Sequence, residues 1–292
     1  MGRQVLASLR GRGHEVHAVS RNPAEVGDRA VEWHAIDLLD QGATEALVQR
    51  VAPTHLVHLA WCSEHGVYWE SPENEHWLAA GVSLLEDFVA AGGRRAVLAG
   101  TCAEYDWSCA EAPLSETATP LAPRGAYGRA KDSLRREVEA LGARSGLRFA
   151  WARLFFLFGP AEHPDRLVAS VARAVLSGQT ADCTEGRQVR DYLPSTEVAE
   201  AIVAVLESGV SGAINLGSGV PISVRELIEL VGAAAGGEER LRFGAIPFRA
   251  DEPLRIVADV DRLAREVGWR PRRTLEQAVV ETVEWWRERA PA

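Results

Sequence analysis

A chain of 292 residues, 47% hydrophobic and 25% charged, is long enough to bury one large core or two modest ones, and it carries no low-complexity tract that would keep it unfolded. Its net charge of −9 gives no general attraction to nucleic acid or anionic lipid, so an anionic ligand must be held by a few local cations. No apolar run approaches the ~18 residues of a membrane span, and arginines in MGRQVLASLRGRG stand where a signal peptide needs an uncharged core. The expectation is a cytoplasmic protein with neither membrane nor nucleic-acid partners.

The first element is helix-like, GRQVLASLRGRG. Short apolar or β-branched runs follow in the order EVHAVS, VEWHAI, HLVHLA, RAVLAG and LRFAWARLF. Between the later runs lie the longer amphipathic stretches WLAAGVSLLEDFVAAGG and YGRAKDSLRREVEALGARSG. This alternation predicts an α/β protein with a doubly wound parallel sheet and helices on both faces. From about Gly159 the rhythm loosens and proline and arginine become frequent, with a helix-like EVAEAIVAVLES and a strand-like INLGSG inside the segment. A smaller second domain is expected there, giving 1–158 with 192–217 as the larger unit and 159–191 with 218–292 as the smaller.

Such a sheet ordinarily opens with a strand and a glycine-rich turn, yet here a helix comes first. An absent central strand would leave unpaired ladder groups and an empty apolar slot. Met1-Gly2 then reads as the tail of a glycine fingerprint whose earlier part lies upstream. The four cysteines, Cys62, Cys102, Cys109 and Cys183, show neither a CxxC pair nor metal spacing with histidine, so reduced structural thiols and no metal are expected. The pair Trp285-Trp286 reads as core and edge of a terminal helix.

The chain has one lysine, Lys131, four residues after Tyr127 in AYGRAKDSL. Residues i and i+4 share a helix face, so an ammonium can sit beside a phenol. A nearby positive charge favours the phenolate, which would let Tyr127 act as general acid or base near neutral pH. Lysine suits this role because its rotatable ammonium can also donate to ribose hydroxyls. Thr101 ends the RAVLAG strand at its carboxyl edge, where ligands bind in open α/β sheets, and it can orient the oxygen that Tyr127 protonates.

With Tyr127-x-x-x-Lys131, the Thr101…Tyr105 turn, HLVHLA, RLFFLFGP, GRQVRDYLPSTEVAEAI, INLGSG, RADEP and REVGWRP in view, the chain resembles the NAD-dependent epimerase/dehydratase family, the extended short-chain dehydrogenases. The likeness runs over nearly the whole length. It implies a Rossmann-like larger domain and a smaller α/β substrate domain at the C-terminus. It also implies Thr101, Tyr127 and Lys131 as the catalytic group, with Lys131 on the nicotinamide ribose. Gly2, Asp37, Leu38, Leu59, Ala60 and Trp61 would follow the dinucleotide, while Arg190 and Arg249 would grip a substrate diphosphate. Homodimerisation through two helices per subunit is a further implication.

Four departures qualify these expectations. Of the glycine fingerprint only Gly2 is present. Ser20-Arg21 ends the EVHAVS strand where an acidic residue would accept the ribose hydroxyls of NAD, so NADP is favoured over NAD. Cys102 follows Thr101 where dehydratases carry an acid, and Glu104 comes too late to match, which disfavours dehydration. Phe156 replaces a usual asparagine facing the sugar. The reading is a nucleotide-sugar 4-ketoreductase or epimerase; a reductase of non-sugar carbonyl compounds and a non-catalytic dinucleotide-binding protein are the alternatives.

Overall fold

The computed structural model describes residues 1–23, 31–62, 64–109, 111–249 and 252–289. Helix α1 (Gly2–Gly11) leads into β1 (His17–Ser20) and β2 (Glu32–Ala35), which pair in parallel. Helix α2 (Gln41–Val51), capped by the Asp40 side chain on the Ala43 amide, precedes β3 (His55–His58), α3 (Glu73–Ala90), β4 (Arg95–Thr101) and α4 (Gly125–Ser145). After β5 (Arg148–Leu154) come β6 (Phe156–Phe158), α5 (Leu167–Leu176), β7 (Ala181–Cys183), β8 (Val189–Pro194), α6 (Ser195–Glu207) and β9 (Gly212–Leu216). The chain ends with β10 (Pro221–Ser223), α7 (Val224–Ala235), β11 (Leu241–Phe243), β12 (Arg255–Ile256) and α8 (Leu275–Arg287).

Strands β3, β4, β5 and β9 form one parallel sheet in that order. All seven residues of β4 are buried, as a strand covered on both faces requires. Arg95 opens β4 and turns its guanidinium to the end of α6, donating to the carbonyls of Val205, Leu206 and Val210. A cation there satisfies orphan carbonyls and complements the helix dipole. At Gly100 an added Cβ would lie 2.2 Å from Trp151 Nε1, so glycine is what lets the β5 indole cross β4.

The five early strand runs all form parallel strands, but in two separate sheets. β1 pairs only with β2, β3 only with β4, and no strand lies between β1 and β3 among the described residues. Both edges instead line a cavity of about 910 Å³, roofed by α1, α2 and Leu84 of α3.

A second core joins α5, α7 and α8 around Phe158, Leu227 and Val279, beside the sheet β10-β8-β12 with β6 on β8. Trp286 packs on that core and Trp285 meets it edge-on at 4.8 Å. All four cysteines are free thiols. Only Cys102 and Cys183 are buried, however; Cys109 is exposed and Cys62 half-buried, which corrects the expectation that all four are structural. No helix among the described residues is long and apolar enough to cross a membrane.

Glu32, His17 and His34 come together on β1 and β2. The two imidazoles lie nearly coplanar, 7° apart, with Nδ1 of His17 and Nε2 of His34 at 3.0 Å. Arg50 points a guanidinium nitrogen at Nδ1 of His34, 3.4 Å away, which leaves Nε2 to carry the proton and donate to His17. One Glu32 oxygen faces the same two nitrogens, 3.7 Å from Nδ1 of His17 and 3.8 Å from Nε2 of His34.

Candidate active site

Thr101 ends β4 and caps the turn Cys102–Glu104, its hydroxyl accepting from the Ala103 amide while its own amide donates to Glu104 at 2.8 Å. This reciprocal pattern is a capping box. Glu104 is fully buried and also receives the Trp151 indole N–H at 2.9 Å and Arg153 Nε at 2.8 Å. Arg153 reaches on to the Tyr105 hydroxyl, which donates to Asn215. Beneath Thr101 therefore lies a buried network in which each polar group has a partner, the condition under which interior charge rigidifies rather than destabilises. Sequence reasoning set Glu104 aside; the T-x-x-E spacing was the signal that it belongs to a cap.

Helix α4 starts at Gly125, whose φ of +65 and close approach to the Trp69 carbonyl exclude a side chain. Tyr127 sits in its first turn, its amide donating to the Trp69 carbonyl at 3.0 Å. Its ring stands edge-on to Tyr68 at 5.0 Å and to Trp69 at 5.8 Å. Burial, followed by the neighbouring Tyr68, raises the phenol above its ordinary value, and the Thr101 side chain opposes this. Lys131, 2% exposed, lies one turn on, donates to the Ala99 carbonyl at 3.0 Å and faces the Trp61 ring at 3.6 Å. Desolvation lowers its pKa to about 7, with Glu104 pulling the other way.

The expected lowering of the phenol pKa by the ammonium is thus corrected. Low dielectric disfavours both charged forms, and Lys131 spends its contacts on a carbonyl and an indole rather than on Tyr127. What the structure brings to the end of β4 is Thr101, Tyr127 in the first turn of α4 and, one turn on, Lys131.

Across the strand ends, Arg190 on β8 is buried, ion-paired with Glu252 at 2.9 Å and 5.3 Å above the Phe156 ring. Desolvation lowers its pKa, with Glu252 opposing. Its fork is engaged from within rather than open to a ligand. Arg249 is exposed, and its carbonyl accepts the Glu252 amide, so the two predicted phosphate-gripping arginines are joined through Glu252. Ala250 and Asp251 of RADEP lie outside the described residues. Asp191, which sequence reading did not weigh, is fully buried and accepts from Ser218, Gly219 and Ala258, tying β8 to the loop after β9. Cys102 is buried, its thiol pushed up to about 12.

The dinucleotide residues fall around the cavity between β1 and β3, where Gly2, Ser20, Leu38, Leu59 and Ala60 all contribute to the lining. Asp37 turns inward to accept the Leu39 amide, and Arg21 is exposed at the end of β1. The first turn of α1 opens into the same cavity and has no side-chain cap. The amides of a helix's first turn, with the positive dipole end, suit a pyrophosphate. The uncapped first turn of α1 and this lining are where a dinucleotide would be held.

The family model for the NAD dependent epimerase/dehydratase family matches residues 1–217. The chain belongs to that family. A UDP-glucose 4-epimerase of Corynebacterium glutamicum is 27% identical over 96% of this chain and 91% of its own length. The NAD complex of UDP-glucose 4-epimerase from Thermus thermophilus superposes with a TM-score of 0.87 at 27% identity, covering 98% of this chain and 95% of that one. UDP-glucose 4-epimerase from Thermotoga maritima, solved with UDP-glucose, reaches a TM-score of 0.90 at 23% identity over 99% and 96%. This family membership accounts for the doubly wound parallel arrangement of the larger part of the chain.

Proposed function

We propose that this family member catalyses reversible hydride transfer at a ring carbon of a nucleotide-linked sugar, as a 4-epimerase or 4-ketoreductase. The observation that carries the reading is the convergence of Thr101, Tyr127 and Lys131 at the carboxyl end of β4: the Thr101 side chain opposes the rise in the phenol pKa, and the ammonium, one helical turn on, donates to the Ala99 carbonyl at 3.0 Å. Tyr127 exchanges the proton of the reacting hydroxyl while Thr101 holds that oxygen in line. Lys131 supplies ammonium donors at the dinucleotide end of the cleft. A bound nicotinamide dinucleotide supplies the hydride acceptor and donor. Exposed Arg249 supplies the basic side toward the substrate diphosphate, with Arg190 engaged by Glu252 beside it; Cys102 and Phe156 line the sugar side.

The 4,6-dehydratases of the family, such as that of Xanthomonas campestris pv. campestris, 30% identical over 58% of this chain and 51% of its own length, point to a second chemistry. It is disfavoured here because Cys102 keeps its proton and Glu104 is committed to Arg153 and Trp151. For the cofactor, the solved relative from Thermus thermophilus holds NAD, while exposed Arg21 is the feature of this chain that would receive the 2′-phosphate of NADP. A homodimer through α3 and α4, which pack on each other, completes the proposal.

The test incubates the protein with UDP-glucose and either NAD or NADP. Interconversion of C4 epimers without net change in nicotinamide absorbance supports an epimerase, and stoichiometric oxidation of added reduced cofactor on a 4-keto sugar supports a reductase. No turnover of any nucleotide sugar, alongside reduction of simple ketones, would replace the reading with a non-sugar carbonyl reductase.

A further inference from the structure

One side chain outside the predicted set holds both members of the Tyr127–Lys131 pair through its hydrogen bonds. Asn74, in the first turn of α3, is 0% exposed. Its Oδ1 accepts the indole N–H of Trp61 at 2.8 Å, and its Nδ2 donates to the carbonyls of Tyr68 at 2.7 Å and Ser71 at 2.8 Å. The first bond fixes the ring that faces the Lys131 ammonium at 3.6 Å. The other two fix the segment that carries Tyr68 and Trp69 against the Tyr127 ring. That segment is further pinned to the start of α4, the Trp69 carbonyl accepting the Tyr127 amide at 3.0 Å and Glu70 accepting the Ala126 amide at 3.3 Å.

We propose that Asn74 is a positioning residue for the Tyr127–Lys131 pair, a single amide that sets Trp61 on the ammonium and the 68–71 segment on the phenol. The proposal rests on the functional reading above for its kinetic consequence, but not for its geometry. Only a carboxamide offers one acceptor and two donors in this arrangement. A carboxylate would meet two carbonyl oxygens, and an apolar residue would leave an indole N–H and two carbonyls unpaired in the interior. The cation–π contact favours the charged ammonium against the desolvation acting on it. Freeing Trp61 therefore changes both where the ammonium sits and how readily it holds its proton.

The single lysine makes the test direct. With ¹³C-labelled lysine the whole protein gives one ε-methylene signal, which the Trp61 face should shield upfield of the free amino acid. In N74A that signal is expected to return toward the free value. In the same protein kcat on the nucleotide sugar should fall by about 10- to 100-fold, the range a small misplacement of catalytic groups produces, with KM changed less than about threefold. A folded N74A that keeps either the shielded signal or the wild-type kcat overturns the proposal. Should N74A not fold, wild-type exchange decides: an indole N–H of Trp61, assigned by its loss in W61F, that exchanges as fast as an exposed tryptophan overturns it, and a protected one upholds it. If the wild type turns over no nucleotide sugar, the functional reading fails while the lysine signal still decides the role of Asn74.

Discussion

The two halves of the parallel sheet are built to different standards. In the half made of β3, β4, β5 and β9, β4 is buried along its whole length, and the charges of Glu104 and Arg153 beneath it are paired at 2.8 Å. In the half made of β1 and β2, the strands are four residues long, mostly half-buried, and divided from the rest by a cavity of about 910 Å³. The contrast teaches that the residues proposed for proton transfer and the side proposed for the dinucleotide rest on separable structural supports. Thr101 and Tyr127 are held by the network under β4 and by α4, neither of which touches the gap.

The largest effect should come from removing the proton carrier. Tyr127→Phe is expected to lower kcat by about 10²- to 10⁴-fold with an unchanged melting temperature, measured by product formation and calorimetry. An active Y127F would break the assignment of the closed half as the catalytic one.

Next, Glu104→Ala leaves the Arg153 guanidinium buried and unpaired. This should destabilise by about 3–5 kcal/mol and lower Tm by on the order of 10 °C. A melting temperature within a degree or two of wild type would show that the network does not carry the closed half.

The open half can be sharpened by filling it. A protein extended ahead of Met1 by an alternating β-branched strand and a glycine turn should melt several degrees higher and bind dinucleotide about tenfold more tightly, read by calorimetry and fluorescence titration. No gain in either would mean that the cavity is not a strand seat.

A smaller effect is expected from Lys131. Its folded pKa of about 7 lies below the ordinary lysine value of 10.5, so between those values the folded chain binds fewer protons than the unfolded one. The contribution of this group to stability therefore rises with pH across that window. The lysine signal should titrate with a midpoint near 7, and Lys131→Met should raise Tm at neutral pH by a few degrees while losing activity. A midpoint near 10 would mean that the site is wetter than its burial indicates.

The smallest effect should come from Arg12, which joins α1 to Glu200 and Glu207 of α6 from a largely exposed position. Exposed pairs contribute little, and Arg12→Ala should shift Tm by no more than about 2 °C.

Much of this was legible in the chain. The five strand runs, the leading helix and the i, i+4 spacing of Tyr127 and Lys131 are local patterns of period and order, and local patterns survive folding. Three features were not legible. The direction of the phenol pKa depended on how much water reaches Tyr127, a property of neighbours far away in sequence. The engagement of Arg190 depended on Glu252, sixty-two residues on. The role of Asn74 depended on Trp61, Tyr68 and Ser71 meeting one amide, with no motif to announce it.

The sequence by itself determined the doubly wound order, the family and the residue types able to move a proton, because strand and helix periodicity and hydrogen-bonding capacity are written residue by residue. Only the tertiary structure decided which of those groups touch, which are spent on internal partners and which ionisations burial suppresses. Dielectric and distance belong to the packed interior, and no single stretch of chain carries them.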